Sequence, residues 1–215
     1  ATAEAADEGE IRNKIISIAS AEVGYTGTST YSKYGEWYGY QGGWCTTFVL
    51  WCYSQTDQSL GTSLYGNVIP SGGNCNSMIS WYESKGRYHK RGDGYTPKAG
   101  DLVFFDWSGN GSSQHVGIVD YISGSTVYTV EGNCSGQVKA REYTASGSKP
   151  YNNISAIMGY ASPEFSRVSN GSSKTTVKKT TAPKTTSEKA ETKKRTTTTT
   201  KKTTVTTTET TTEII

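Results

Sequence analysis

His115-Val116-Gly117-Ile118-Val119-Asp120-Tyr121-Ile122-Ser123-Gly124-Ser125-Thr126-Val127-Tyr128-Thr129-Val130-Glu131-Gly132-Asn133 is the stretch on which the fold turns. Its β-branched and aromatic residues recur with the period of two that marks half-buried strands, and small turn residues interrupt them once. The spacing predicts a hairpin of strands over 115–122 and 126–133, closed by Ser123-Gly124-Ser125. Antiparallel partners have residue numbers with a constant sum. A three-residue loop pairs Ile122 with Thr126, a sum of 248, so His115 faces Asn133 and Gly117 faces Glu131 on one side of the sheet. Val116, Ile118, Tyr128 and Val130 fall on the other side. A slip of one residue would put His115 and Glu131 on opposite faces.

Outward from the hairpin, period-two segments over 101–107, 137–144 and 154–161 add strands to a mostly antiparallel sheet. On the N-terminal side the period changes to that of helices. Ile11, Ile15, Ile18, Ala19 and Val23 share one helical face that Gly24 can end. Cys45, Phe48, Val49 and Cys52 share another, and Met78, Trp81 and Tyr82 mark a short third helix over 76–85. Residues 24–43 and 54–75 read as loops. Helices followed by a meander of strands define an α+β arrangement, with N-terminal helices packed on the sheet.

The chain of 215 residues has 22 Lys+Arg against 19 Asp+Glu and a net charge of +3. All 24 aromatic side chains lie at or before Phe165, whereas residues 166–215 hold 20 Thr and 11 Lys+Arg against 4 Asp+Glu. Such a segment cannot bury enough apolar surface to offset the entropy of ordering it. The expected organisation is a flexible start over 1–9, a globular domain over 10–165, and a disordered Thr- and Lys-rich linker or tail over 166–215. Residues 1–165 carry 11 Lys+Arg against 15 Asp+Glu, so the basic balance belongs to the tail and no nucleic-acid partner is expected. No apolar run approaches the roughly 18 residues of a membrane span.

Cys45 stands in Gly42-Gly43-Trp44-Cys45-Thr46-Thr47-Phe48, where a glycine loop runs into the first turn of a helix. Unpaired amides and the helix dipole at that position favour a thiolate. A buried packing role is the competing reading, and it suits Cys52, between Trp51 and Tyr53. Of the two histidines, His89 lies in a basic stretch and reads as a solvated surface residue. His115 opens a strand and meets Glu131 and Asn133 in the hairpin register. An imidazole held by a second polar group is what activation of a cysteine nucleophile requires. With one cysteine working, Cys52, Cys75 and Cys134 can form at most one disulfide, and their spacing has no Cys-x-x-Cys pair for a zinc ribbon or a thioredoxin-type site. Asp101, after Pro97-Lys98-Ala99-Gly100, reads as turn chemistry.

Four segments together carry a resemblance: Trp44-Cys45-x-x-Phe48-Val49, Ala99-Gly100-Asp101-Leu102-Val103-Phe104-Phe105, His115-Val116-Gly117-Ile118-Val119 and Val130-Glu131-Gly132-Asn133. In this order they resemble the CHAP domain, a family of cysteine-dependent amidohydrolases and peptidases of bacterial peptidoglycan within the papain-like group that includes the NlpC enzymes. The similarity runs from about Glu10 to Pro163. It implies a papain-like fold with the nucleophile Cys45 at a helix N-terminus, His115 as base, Glu131 as the group orienting it and Asn133 as a further polar participant. Trp44, Gly43 and Gln41 are the candidate substrate-binding residues, Gln41 also as an oxyanion donor beside the Cys45 amide. No Asp-x-[Asp/Asn]-x-[Asp/Asn]-Gly run is present, so neither calcium nor any other metal or cofactor is expected.

The resemblance implies cleavage of amide bonds in peptidoglycan through a thioester, either as an N-acetylmuramoyl-L-alanine amidase or as a peptide-stem endopeptidase. The alternative is a catalytically idle wall-binding or adhesion module of the same fold. The small residues Ala1-Thr2-Ala3 fit the region around a signal-peptidase site, and an extracellular, wall-associated monomer is expected. The basic tail suits anionic wall polymers. The end at Glu213-Ile214-Ile215 reads as a truncation ahead of a further binding module.

Overall fold

The structure is a computed structural model and describes residues 6–146 and 153–169. Five helices and six strands follow in the order α1 (Glu8–Ala21), α2 (Lys33–Tyr38), α3 (Cys45–Leu60), α4 (Cys75–Glu83), β1 (Tyr88–Lys90), β2 (Leu102–Phe105), β3 (His115–Ser123), β4 (Thr126–Glu131), β5 (Lys139–Thr144), β6 (Ile157–Ala161) and α5 (Ser166–Ser169). The strands form one sheet in the order β1-β6-β2-β3-β4-β5 with every pairing antiparallel. Helices first and a meander after give the α+β, papain-like architecture expected from the periodicities.

The two faces of the sheet have separate cores. Ile11, Ile15 and Ala19 of α1 and Phe48, Val49, Cys52 and Tyr53 of α3 pack with Leu102, Phe104, Val116, Ile118 and Val130. Val103, Phe105, Val119, Val127, Ile157 and Tyr160 form the other cluster. The period-two alternation of β2 and β3 is what assigns each residue to its face. Complete burial of such side chains stabilises by about 1.5–3 kcal/mol each, before conformational entropy is set against it. Asp101 joins β2 to α1: it is fully buried and accepts from Arg12 Nη1 at 2.9 Å, Tyr95 OH at 2.6 Å and the Lys98 amide at 2.8 Å. Its turn bond to Lys98 was expected; its ion pair across 89 residues was not visible in local sequence.

Several boundaries move. The expected flexible start shortens, because α1 begins at Glu8 with the Asp7 carboxylate accepting from the Glu10 amide at 2.7 Å. Residues 1–5 lie outside the described residues. Val23 is exposed rather than on the core face of α1. The loop expected over 24–43 contains α2, capped by Ser32 and ended by Gly39 at φ 81°. α3 continues to Leu60, past the loop start expected at 54. The domain does not end at 165: α5 follows, with Val168 packed on the core beside Phe165. The remainder of the expected tail, 170–215, lies outside the described residues.

His89 is not a solvated loop residue but part of β1. Its Nε2 lies 2.9 Å from Ser162 Oγ, its Nδ1 lies 3.5 Å from Asp93, and its ring stacks on Tyr95 at 3.6 Å. The cluster ties β1 to the end of β6.

The hairpin differs from expectation at its tip and agrees with it at its base. Ser123 pairs with Thr126 and Ile122 with Val127, a sum of 249, so the turn has two residues, Gly124-Ser125, with Gly124 at φ 58°. A β-bulge between Val119 and Tyr121 then shifts the register, and Val119 pairs with Thr129 and Ile118 with Val130, a sum of 248. One extra residue, Asp120, is absorbed in β3. Below the bulge the register is the one that brings Gly117 opposite Glu131.

Candidate active site

Three elements converge on one sulfur. Cys45 is the first residue of α3. Asp7, Ser32 and Asn74 cap α1, α2 and α4 through their side chains, but Trp44 at the N-cap of α3 makes no such bond. The first amides of α3 therefore keep their positive end unneutralised by a side-chain acceptor, beside the Cys45 thiol. β3 supplies His115 and β4 supplies Glu131.

Two glycines set the spacing between these elements. A Cβ on Gly117 would stand 2.6 Å from Glu131 Cγ, so the carboxylate side chain occupies the space the glycine leaves. A Cβ on Gly132 would stand 2.4 Å from Phe48 Cβ, so the end of β4 lies directly on the first turn of α3. Side chains at either position would push apart groups that must touch.

Glu131 is fully buried and its oxygens are saturated with donors. His115 Nε2 lies 2.9 Å from Oε2, Thr129 Oγ1 donates to Oε1 at 2.6 Å, and Tyr143 OH and Cys134 Sγ each donate to Oε2 at 3.3 Å. Burial alone would raise the Glu131 pKa, but the hydrogen bond and charge of His115 outweigh it and lower it. With Nε2 turned to Glu131, the other ring nitrogen, Nδ1, is left for Cys45. Burial opposes a charged imidazole at His115, yet hydrogen bonds with Cys134, Cys45 and Glu131 push it up to about 11. Cys45 moves the opposite way. A hydrogen bond with Cys75 is the largest cause, burial opposes it, and His115 and the Val116 amide add to the lowering. These directions describe a thiolate–imidazolium pair held by a buried carboxylate.

Cys75 is the neighbour that sequence reasoning missed. It is the first residue of α4, its Sγ lies 4.0 Å from Cys45 Sγ, and both side chains are buried. The same contact that lowers Cys45 raises Cys75; either sulfur can be the donor in it, and the His115 imidazole beside Cys45 favours the anion there. No local signal could have revealed a contact between the starts of two helices 30 residues apart. Cys52 is fully buried, and burial raises its pKa. All four cysteines are free thiols.

The other expected site residues distribute unevenly. Asn133 does not orient the His115 ring: it sits at φ 63° just past β4, and its Nδ2 donates to Ser29 O at 3.1 Å. The strand ends at Glu131, which removes the ladder that would have aimed Asn133 at His115. Trp44 does not line a groove. It is fully buried, its Nε1 donates to Thr28 O at 2.6 Å, and its ring packs on Tyr34 and Tyr25. The Gln41 amide oxygen accepts from the Ser32 amide at 3.4 Å, which ties it to the start of α2. Gly43 is exposed, with Asn133 Nδ2 3.9 Å from where its Cβ would be, and it leaves the backbone before Cys45 open. An aromatic wall comes instead from Trp107, which is 55% exposed, stacks on Phe105 at 5.2 Å and has its ring 5.4 Å from His115. Its signal was the strand end after Phe105, read only as a strand residue.

His115, Glu131 and Cys134 bring three possible metal-ligand atoms within 4.8 Å of one another. Hydrogen bonding accounts for this closeness: two of the three contacts are donations to Glu131, and Cys134 Sγ lies 3.9 Å from His115 Nε2. Among the described residues, no helix is long and apolar enough to cross a membrane.

An α+β fold with a cysteine at a helix N-terminus and a carboxylate-held histidine on the facing sheet defines a papain-like site. The family model described as "CHAP domain" matches residues 35–133, a span that contains Cys45, Cys75, His115 and Glu131. The match is to this part of the chain, with α1, β5, β6 and α5 outside the matched segment. No curated protein matches it significantly. Among solved structures it is similar to the crystal structure of Ly7917, with 17% identity and a TM-score of 0.45 over 71% of this chain and 62% of that one. A second structure, Ly7917 with the hydrolyzing product of MDP, gives 16% identity and a TM-score of 0.43 over the same shares. The chain spans somewhat less than two thirds of those structures.

Proposed function

We propose that this chain is an extracellular cysteine hydrolase that cuts amide bonds of bacterial peptidoglycan, as an N-acetylmuramoyl-L-alanine amidase or a peptide-stem endopeptidase. The observation that carries the reading is Cys45 at the one helix start of α1–α4 without a side-chain cap, beside a His115 fixed by the buried Glu131. The match of residues 35–133 to the CHAP domain model supports this substrate class.

The Cys45 thiolate attacks the amide carbonyl from the open side left by Gly43. Negative charge developing on the carbonyl oxygen faces the free amides that begin α3, starting with that of Cys45. The His115 imidazolium gives its proton to the departing amine, and a thioester remains on Cys45. Water, deprotonated by the now neutral His115, attacks the thioester and frees the acid. Glu131 stabilises the charged imidazole and fixes its ring, without taking a proton itself. The exposed face of Trp107 offers a platform for a sugar or a stem-peptide side chain next to the reacting bond.

Mass spectrometry of muropeptides released from purified peptidoglycan tests the reading. Freed stem peptides with intact glycan mark an amidase, and new peptide amines without freed stems mark an endopeptidase. Unchanged wall after prolonged incubation with reduced protein overturns the enzymatic reading and leaves the idle wall-binding module.

A further inference from the structure

The mechanism above uses one thiol, yet the structure puts a second beside it. We propose that Cys75 is the resolving partner of Cys45, so that a hydroperoxide converts the pair into a reversible Cys45–Cys75 disulfide that switches the site off and shields it from overoxidation.

The geometry rests on three observations. The two sulfurs are 4.0 Å apart, in van der Waals contact, and each belongs to the first residue of its helix. The start of α4 is fixed against the segment leading to His115: Asn76 Oδ1 accepts from the Ser113 amide at 2.9 Å, and Asn76 Nδ2 donates to Ser112 Oγ at 2.9 Å and to Ser113 O at 3.3 Å. Cys75 is thus held in place, and the two sulfurs have about 2 Å to close to reach the length of a disulfide bond. Finally, the other thiols are placed differently. Cys52 is two turns along α3 in the core, and Cys134 bonds to Glu131 on the Nε2 side of the His115 ring.

The imidazole of His115, next to Cys45, decides the order of events. Cys45, the thiolate, reacts first. Its sulfur attacks a peroxide oxygen: an S–O bond forms, the O–O bond breaks, and the alkoxide (hydroxide, for hydrogen peroxide) leaves and takes up a proton. Cys75 then attacks the sulfenic sulfur. The S–S bond forms, the S–O bond breaks, and hydroxide leaves as water with the Cys75 proton. Two thiols and one hydroperoxide give one disulfide, one alcohol and one water, with two electrons passing from the sulfurs to the peroxide. A dithiol reductant reverses the change by exchange. Without Cys75, the sulfenic acid at Cys45 stays open to a second peroxide and goes on to the irreversible sulfinic acid.

The proposal needs a reactive Cys45 but no wall substrate, so its test is read in mass and thiol labelling, independently of peptidoglycan hydrolysis. The reduced full-length chain is treated with a several-fold excess of hydrogen peroxide, enough for the second oxidation that sulfinic acid requires, then alkylated and mapped under non-reducing conditions. The expected result is a Cys45 peptide joined to a Cys75 peptide, with Cys45 labelling restored by dithiothreitol. A Cys134→Ser variant should give the same link. Cys75→Ser and Cys75→Ala, shown by circular dichroism to be folded, should lose the link, carry sulfinic acid at Cys45 and recover almost none of its labelling. A Cys45–Cys134 link, no link at all, or Cys75 variants that recover as fully as the wild type would each overturn the proposal. If neither Cys75 variant folds, the wild-type and Cys134→Ser maps decide it.

Discussion

Cys45 and Cys52 share a helix, a residue type and burial, and lie about two turns apart, yet their chemistry diverges completely. At Cys52 burial is the dominant influence and suppresses ionisation. At Cys45 a neighbouring thiol and an imidazole overcome burial and favour the anion. The comparison teaches that the ease of ionisation here is a property of the helix end and of what the sheet brings to it, not of exposure: Cys45 itself is only 9% exposed.

The sharpest way to break the comparison is to remove each sulfur in turn. Cys45→Ala should lower turnover of peptidoglycan by about four orders of magnitude or more, with the fold intact. Cys52→Ala should leave turnover nearly unchanged and cost on the order of 1–2 kcal/mol of stability as a small core truncation. Assays of wall hydrolysis and of chemical denaturation check both; a reversed pattern would move the nucleophile to Cys52.

The next effect is on the pH dependence of labelling. Because the Cys45 pKa is lowered, its thiolate is lost only as pH falls through that depressed value. Iodoacetamide at about pH 6 should therefore modify Cys45 at least about a hundredfold faster than Cys52, whose raised pKa keeps it a thiol. At the alkaline end, raising the pH through the elevated pKa of His115, about 11, removes the imidazolium and with it the protonation of the leaving amine. Equal labelling rates at both sites would dissolve the contrast.

Glu131→Gln asks how much of that contrast the sheet supplies. It removes the charge behind His115 while keeping a hydrogen-bonding group, and kcat should fall by roughly one to three orders of magnitude. The onset of Cys45 labelling should move to higher pH, since a less stable imidazolium stabilises the thiolate less. A variant with unaltered rate and titration would separate Glu131 from the chemistry.

Trp107→Ala should have the smallest effect, raising KM by several-fold, about 1 kcal/mol, with kcat little altered, as loss of a stacking surface that binds substrate and transition state alike. Steady-state kinetics on soluble wall fragments will show it. An equal fall in kcat would place Trp107 in the support of His115 instead.

The residues that sequence reasoning found and those it missed differ in the range of the contacts involved. The convergence of Cys45, His115 and Glu131 was legible because each placement depends on local pattern: a glycine loop entering a helix, and the alternation of a hairpin. Trp44 was misplaced because position next to Cys45 says nothing of side-chain direction, and the first turn of α3 turns its indole into the core. Asn133 was misplaced because the strand was extended two residues too far, beyond the point where Gly132 meets Phe48. Cys75, Tyr143 and Thr129 reach the site through tertiary contacts; only Thr129, two residues from Glu131 along β4, lay within range of a register argument. The short helices α2 and α5 escaped because Gly, Tyr and Ser composition in the one and a Lys- and Thr-rich continuation in the other mask a single turn or two.

Parity governs what the bulge at Asp120 allows. Between the hairpin tip and His115, β3 holds one residue more than β4 does, and the surplus is discharged at Asp120 rather than at the tip. A chain lacking Asp120 would run straight from Tyr121 to Val119 with the lower pairs unaltered, whereas a residue lost between the bulge and His115 would turn the imidazole away from its carboxylate. Length variation in this hairpin is thus safe at one position and ruinous a few residues further down the same strand. The bulge acts as a phase adjuster, letting the distal turn change its count while the site below keeps time.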